Sequence, residues 1–183
     1  MNLRSLALVT LLALGMPFAT ATAQTPAATE VAPGQLAQAD VDFIQNANSE
    51  NVAQVAMGHA AESTAVNPGV RELGTRIASS HTRADQALRL LAGQKHVEVP
   101  QTANAADNSQ ISELHNRKRG GDFDAQYVRT VMVDHDHMIE MYEAARNGSQ
   151  DADIRRYADT MLPTLHDNRD QAADLAKRKG ISP

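Results

Sequence analysis

Apolar residues return at three- and four-residue steps in every periodic stretch of this chain, and none alternates. Only helices can gather residues so spaced onto one buried face. Tyr127, Val128, Val131, His135, Met138, Tyr142 and Ala145 make one stripe, and Val70, Leu73, Ile77, His81, Ala84, Leu88 and Leu91 make another. Phe43, Ile44, Ala47, Val55 and His59 begin a third, and Leu162, Leu165 and Ala172 mark a fourth. Breakers separate them: Asn67-Pro68-Gly69, Gly93, Pro100, Gly120-Gly121 and Asn147-Gly148. Long helices are therefore expected from Asp40 to about Val66, Pro68 to Gly93, Asp122 to Arg146, and from a cap at Ser149 to about Lys179. A short one is expected from about Asn108 to Arg119. The fold class predicted is all-α, an up-down-up-down four-helix bundle with a short extra helix in the connection between the second and third long helices.

The N-terminal stretch has a different use. Arg4 precedes an apolar run from Leu6 to Met16, and Ala21-Thr22-Ala23 places small side chains before Gln24. Residues 1–23 are expected to be a signal peptide, 24–39 a flexible leader rich in Ala, Thr and Pro, and 40–180 the helical domain. The protein is thus expected to be exported, periplasmic or secreted, with no membrane insertion after cleavage. It contains no Cys, so no disulfide supports the fold and the core alone must hold it. A net charge of −5 and the absence of Trp argue against nucleic acid as a partner.

The stripes contain a chemical anomaly. His81 and His135 occupy positions that should face a core, where an imidazole needs a partner. Asp136 and His137 point elsewhere and are read as solvated. His81, Asp85, Gln86 and Ala87 recur as His166, Asp170, Gln171 and Ala172 at an offset of 85, while Asp40-x-x-Phe43 and Asp124-x-x-Tyr127 match at 84. Two related hairpins are implied. If the turns at Asn67 and Gly148 share one end, His81 and His135 lie roughly 20 Å down and His166 roughly 25 Å down, at 1.5 Å per residue. Glu50, Asn51 and Gln54 reach that depth on the first helix; His59 does not. Two readings follow. His81, His135 and His166, with Glu50 or Asp134, form a layer able to hold a divalent transition metal; or each imidazole is a neutral hydrogen-bonding residue tying helices together. No Glu-x-x-His, phosphate loop or nucleophile elbow is present; a binding or stress-related accessory protein is expected, with a metal-dependent oxidoreductase using His81, His135 and His166, or a structural partner-binding bundle, as the alternatives. A protein partner or a homo-oligomer is left open.

Asp40-x-x-Phe43, Gly58, Ser80-His81, Leu88-x-x-Leu91-Ala92, Phe123-Asp124-x-x-Tyr127, Met132-Val133-Asp134-His135 and Leu162-Pro163-Thr164-Leu165-His166 together make a pattern. It resembles the bacterial secreted family catalogued as domain of unknown function 4142. The resemblance runs from about Asp40 to Ala176. It implies a ferritin-like helical bundle, exported by bacteria, with no established activity to carry over. Ala56 and Ser80 stand where similar proteins tend to carry acidic residues.

Overall fold

The computed structural model describes residues 36–181, so the expected signal peptide and most of the expected leader lie outside the described residues. Five helices form: α1 (Gln38–Thr64), α2 (Pro68–Gln94), α3 (Ala105–His115), α4 (Gly121–Gly148) and α5 (Ala152–Lys179). Among the described residues there is no strand, and no helix is long and apolar enough to cross a membrane.

Local chemistry fixes the ends. Asn67 caps α2 by accepting from the Gly69 N–H at 2.9 Å, and Pro68 sits in the first turn, where it has no intrahelical bond to lose. Asp151, two residues beyond the expected Ser149, caps α5 through the N–H groups of Asp153 and Ile154. α1 begins two residues before Asp40, and Asp40 itself is buried in the first turn. α3 starts at Ala105 because Asn104 accepts from the Asp107 N–H, ahead of the expected Asn108. At the far end, Gly180 adopts a left-handed φ of 64° and closes α5.

The four long helices form a ring in which α1 packs on α2, α2 on α5, α5 on α4 and α4 on α1. Asp124, in the first turn of α4, accepts from the N–H groups of Val66 and Asn67 at 3.1 and 2.8 Å, so α4 starts beside the α1–α2 turn. Lys95, at the other end of α2, holds Asp151 and Asp153 at the start of α5. The turns at Asn67 and Gly148 therefore lie at opposite ends, and the expected up-down-up-down order is incorrect. The order is up-down-down-up. Residues 95–120, with α3 among them, are long enough to carry the chain back along a 27-residue helix of roughly 40 Å. Every neighbouring pair in the ring is nevertheless antiparallel.

α1 and α2 approach each other closely at Gly58 and Gly74. A Cβ on Gly58 would stand 2.7 Å from the Gly74 carbonyl oxygen, and one on Gly74 would stand 2.7 Å from that of Gly58. Only glycine lets these two backbones meet.

The two hairpins match in one register. α1 ends at Thr64 and α4 at Gly148, and α2 begins at Pro68 and α5 at Ala152, each pair 84 positions apart. Buried residues follow the same step: Asp40 with Asp124, Phe43 with Tyr127, Val70 with Ile154, Leu88 with Ala172. The offset of 85 that pairs His81 with His166 is one residue too long; the counterpart of His81 is Leu165.

The apolar core is divided. One cluster includes Met57, Val70, Leu73, Tyr127 and Leu175, and the other includes Ile44, Leu88, Met138, Tyr142 and Leu162. Between them, near the middle of α1, α2 and α4, lies a layer of buried polar side chains: Asn51, Gln54, His81, Asp134 and His135.

Candidate functional site

His81 and His135 face each other across the ring, from α2 and α4. Each is almost wholly buried, because each sits on the apolar stripe of its helix. Their Nε2 atoms are 3.2 Å apart and their rings meet edge to face at 83°. The other nitrogens are engaged as well. His135 Nδ1–H donates to the Val131 carbonyl one turn back at 2.8 Å, which fixes that proton on Nδ1 and leaves Nε2 as a lone pair. His81 Nδ1 lies 2.8 Å from Asn51 Oδ1. Donation to that oxygen likewise leaves His81 Nε2 as a lone pair, so two acceptors confront one another.

Burial keeps both rings neutral. It holds the His81 imidazolium well below the ordinary range, helped by the neighbouring His135. It pushes His135 down to about 4, against the opposing pull of the Val131 carbonyl and Asp136. The neutral imidazole is the form that ligates metals.

Above Asn51 lie two phenols. Tyr157 donates to the Ala84 carbonyl at 3.1 Å, and its oxygen is 3.4 Å from that of Tyr142. Burial raises both hydroxyls, Tyr157 to about 12, and proximity of the Asn51 amide acts in the opposite sense on each. Asn51 Nδ2 itself makes no hydrogen bond of normal geometry.

Asp134 faces another way. Gln54 Nε2 donates to its Oδ2 at 2.6 Å and Gln110 Nε2, from α3, to its Oδ1 at 2.9 Å. Its carboxyl is raised by burial, and the two amide bonds oppose the rise. Glu50 is beside it. Burial, then Asp107, then Asp134, push the Glu50 carboxyl up to about 8. At neutral pH it is mostly protonated, so its 3.5 Å approach to His137 is a polar contact rather than an ion pair. Asp107 is itself hydrogen-bonded to Ser49. α3 thus closes over a group of three acids.

Of the sequence-derived residues, the structure brings His81 and His135 together and places Asp134 and Glu50 in the adjacent acidic group. His166 is elsewhere. It is exposed on α5, while Leu165 before it is buried, because one residue turns a helix by about 100°. The three-histidine layer is therefore corrected to a pair, and among the described residues no group of three or more His, Asp or Glu side chains is arranged to hold a metal ion. His59 is exposed, so its place among the buried candidates of α1 is not upheld, and it stands outside the layer of His81 and His135; Val55 is half-buried. Sequence reading missed Gln110, Ser49 and Asp107. All three belong to α3 or to its contact with α1, where apolar periodicity carries no signal.

A family model described as "Domain of unknown function (DUF4142)" matches residues 25–175. No curated protein matches the chain. Two solved structures share the fold. A DUF305 fragment from Deinococcus radiodurans superposes with a TM-score of 0.69 at 12% identity, over 79% of this chain and 99% of that one. A "putative secreted protein DUF305" from Streptomyces coelicolor gives 0.66 at 16% identity, over 79% and 95% respectively.

Proposed function

The chain belongs to the family of domain-of-unknown-function 4142 proteins, and from that premise we propose an exported accessory protein that binds rather than turns over its ligand. In this reading residues 1–23 direct export, 24–39 form a leader, and 40–180 are a ferritin-like four-helix bundle with a short extra helix in its crossover. Its site is the His81–His135 pair and its ligand a divalent transition-metal ion.

One observation carries the reading. Two Nε2 atoms 3.2 Å apart, each bonded to one ion at 2.0–2.1 Å, subtend about 100° at that ion, near the tetrahedral angle. The Nδ1 contacts with Val131 and Asn51 are of the kind that orient metal-binding imidazoles. Asp134 and Glu50 support the site as nearby acids rather than as ligands. The rival reading is structural: one imidazole donates to the other, and the pair ties α2 to α4 without any ion. The unpartnered Asn51 Nδ2 favours it, since turning that amide gives Nδ2 an acceptor in His81 Nδ1.

The deciding experiment titrates exported protein, whose first residue by mass spectrometry is expected at Gln24, with Zn²⁺, Cu²⁺ and Fe²⁺. One ion per chain should bind, and His135→Ala should abolish the binding. Equally weak binding by both proteins rules the pair out as a metal site.

A further inference from the structure

We infer that the groove between the start of α1 and the end of α4 is a binding site for a small primary amine, whose ammonium group rests on Asp40 and whose apolar stem lies against Phe43 and Met141. The inference is independent of the His81–His135 pair.

The two ends of the bundle are built alike but close differently. At one end Asp124, 6% exposed, accepts from the N–H groups of Val66 and Asn67 and seals α4 against the α1–α2 turn. At the other end its counterpart Asp40, 5% exposed, shares a groove with the α4–α5 turn. Gln150 and Asp151 stand there in place of Val66 and Asn67, and neither donates to Asp40. Asp151 gives its N–H to the Ser149 hydroxyl at 3.1 Å, whereas Ala65, the counterpart of Ser149, has no hydroxyl to compete. Among the described residues, the Asp40 carboxylate is left with no hydrogen bond or ion pair. A carboxylate withdrawn from water without a partner is costly, and a cationic donor relieves that cost.

The packing differs in the same sense. Met57, Ala60 and Ala61 are buried at the sealed end. Their counterparts on α4 are Met141, Ala144 and Ala145, of which Met141 is only half-buried and Ala144 is exposed. Between these residues and α1 opens a groove of about 440 Å³, within the span of small-molecule sites. Phe43, Met141, Ala144 and Ala145 give it an apolar wall, Asp40 and Asp42 give it charge, and no residue lining it is basic. An anion finds no countercharge there. A neutral apolar molecule leaves Asp40 as unpaired as before. An ammonium group on an apolar stem satisfies both halves, donating to Asp40 while the stem covers Phe43 and Met141. Asp42 is already engaged by Gln38 Nε2 at 2.8 Å, so Asp40 is the residue that holds the charge.

Calorimetric titration of the full chain at pH 7 with hexylammonium chloride tests the site. One equivalent should bind. 1-Hexanol, with the same stem and no charge, and hexanoate, with the opposite charge, should each bind at least about tenfold more weakly. Asp40→Asn keeps the shape of the side chain and removes its charge, and it should lower the hexylammonium affinity about tenfold. Ala144→Phe, at an exposed helical position, fills the groove and should lower the affinity without altering the helical circular dichroism. Native-like affinity in either variant overturns the site. So does equal binding of hexanol and hexylammonium, or no binding of hexylammonium by the native protein. Nα-acetyl-lysine methylamide carries the same ammonium group on a peptide. If it binds more tightly than hexylammonium, the occupant is a protein partner and the assignment to a small amine is overturned.

Discussion

Glu50 holds a carboxyl where three acids meet, and its cost to the fold depends on pH. The unfolded chain releases this proton near 4.5, whereas the folded chain keeps it to about 8. Below pH 4.5 both states are protonated and there is no penalty. Between 4.5 and 8 the unfolded state gains by ionising, stability falls as pH rises, and above 8 the loss is constant. Glu50→Gln removes the titration. It should raise the thermal midpoint at pH 8, by a gain on the order of a few kcal/mol, and leave it nearly unchanged at pH 4. An equal gain at both values would mean that the carboxyl is not held protonated. At this scale the sequence was informative where periodicity applied: His81 and His135 were legible as core positions because their stripes are regular. His166 was misplaced because a single extra residue in the assumed repeat turns it from the core to solvent. Asn51 was legible in depth only, since its role depends on which atoms it meets.

Helices were the most legible elements, because breakers and stripes agree on their existence. Their first residues were legible at α2, which begins at Pro68 as expected, but not where several capping side chains compete within a few positions, as at Ser149 and Asp151. The α1–α2 contact shows what periodicity hides. Gly58 and Gly74 are poor helix formers by intrinsic propensity, yet they are where the backbones touch. Gly74→Ala should destabilise by about 1–3 kcal/mol, because the added methyl meets main chain that cannot yield. Gly93, in the last turn of α2, has nothing within 4 Å of an added Cβ. Gly93→Ala should stabilise by about 0.5–1 kcal/mol, the usual gain at an open helical position. Urea unfolding of the two variants should move in opposite directions. The same sign for both would mean that helix propensity, not contact, governs Gly74.

The direction of the second hairpin was the part of the whole molecule that sequence could not give. A connection containing Pro100 and a short helix is compatible with either order, and the meetings of Asp124 with Val66 and Asn67 and of Lys95 with Asp151 and Asp153 decide it. Among the described residues, that order sets two hairpins of one register in antiparallel opposition, with α3 as the helix that lacks a counterpart. Ser49 on α1 is covered by α3. Its counterpart 84 positions on, Val133 on α4, is 65% exposed. A large apolar side chain on an uncovered helix face is a liability in concentrated solution. Val133→Ser, which copies the residue at the equivalent position, should alter folding stability by no more than about 0.5 kcal/mol. It should also lower self-association measured by light scattering, and a cooperative loss of a defined dimer would instead identify this bare half-site as the surface through which two chains meet.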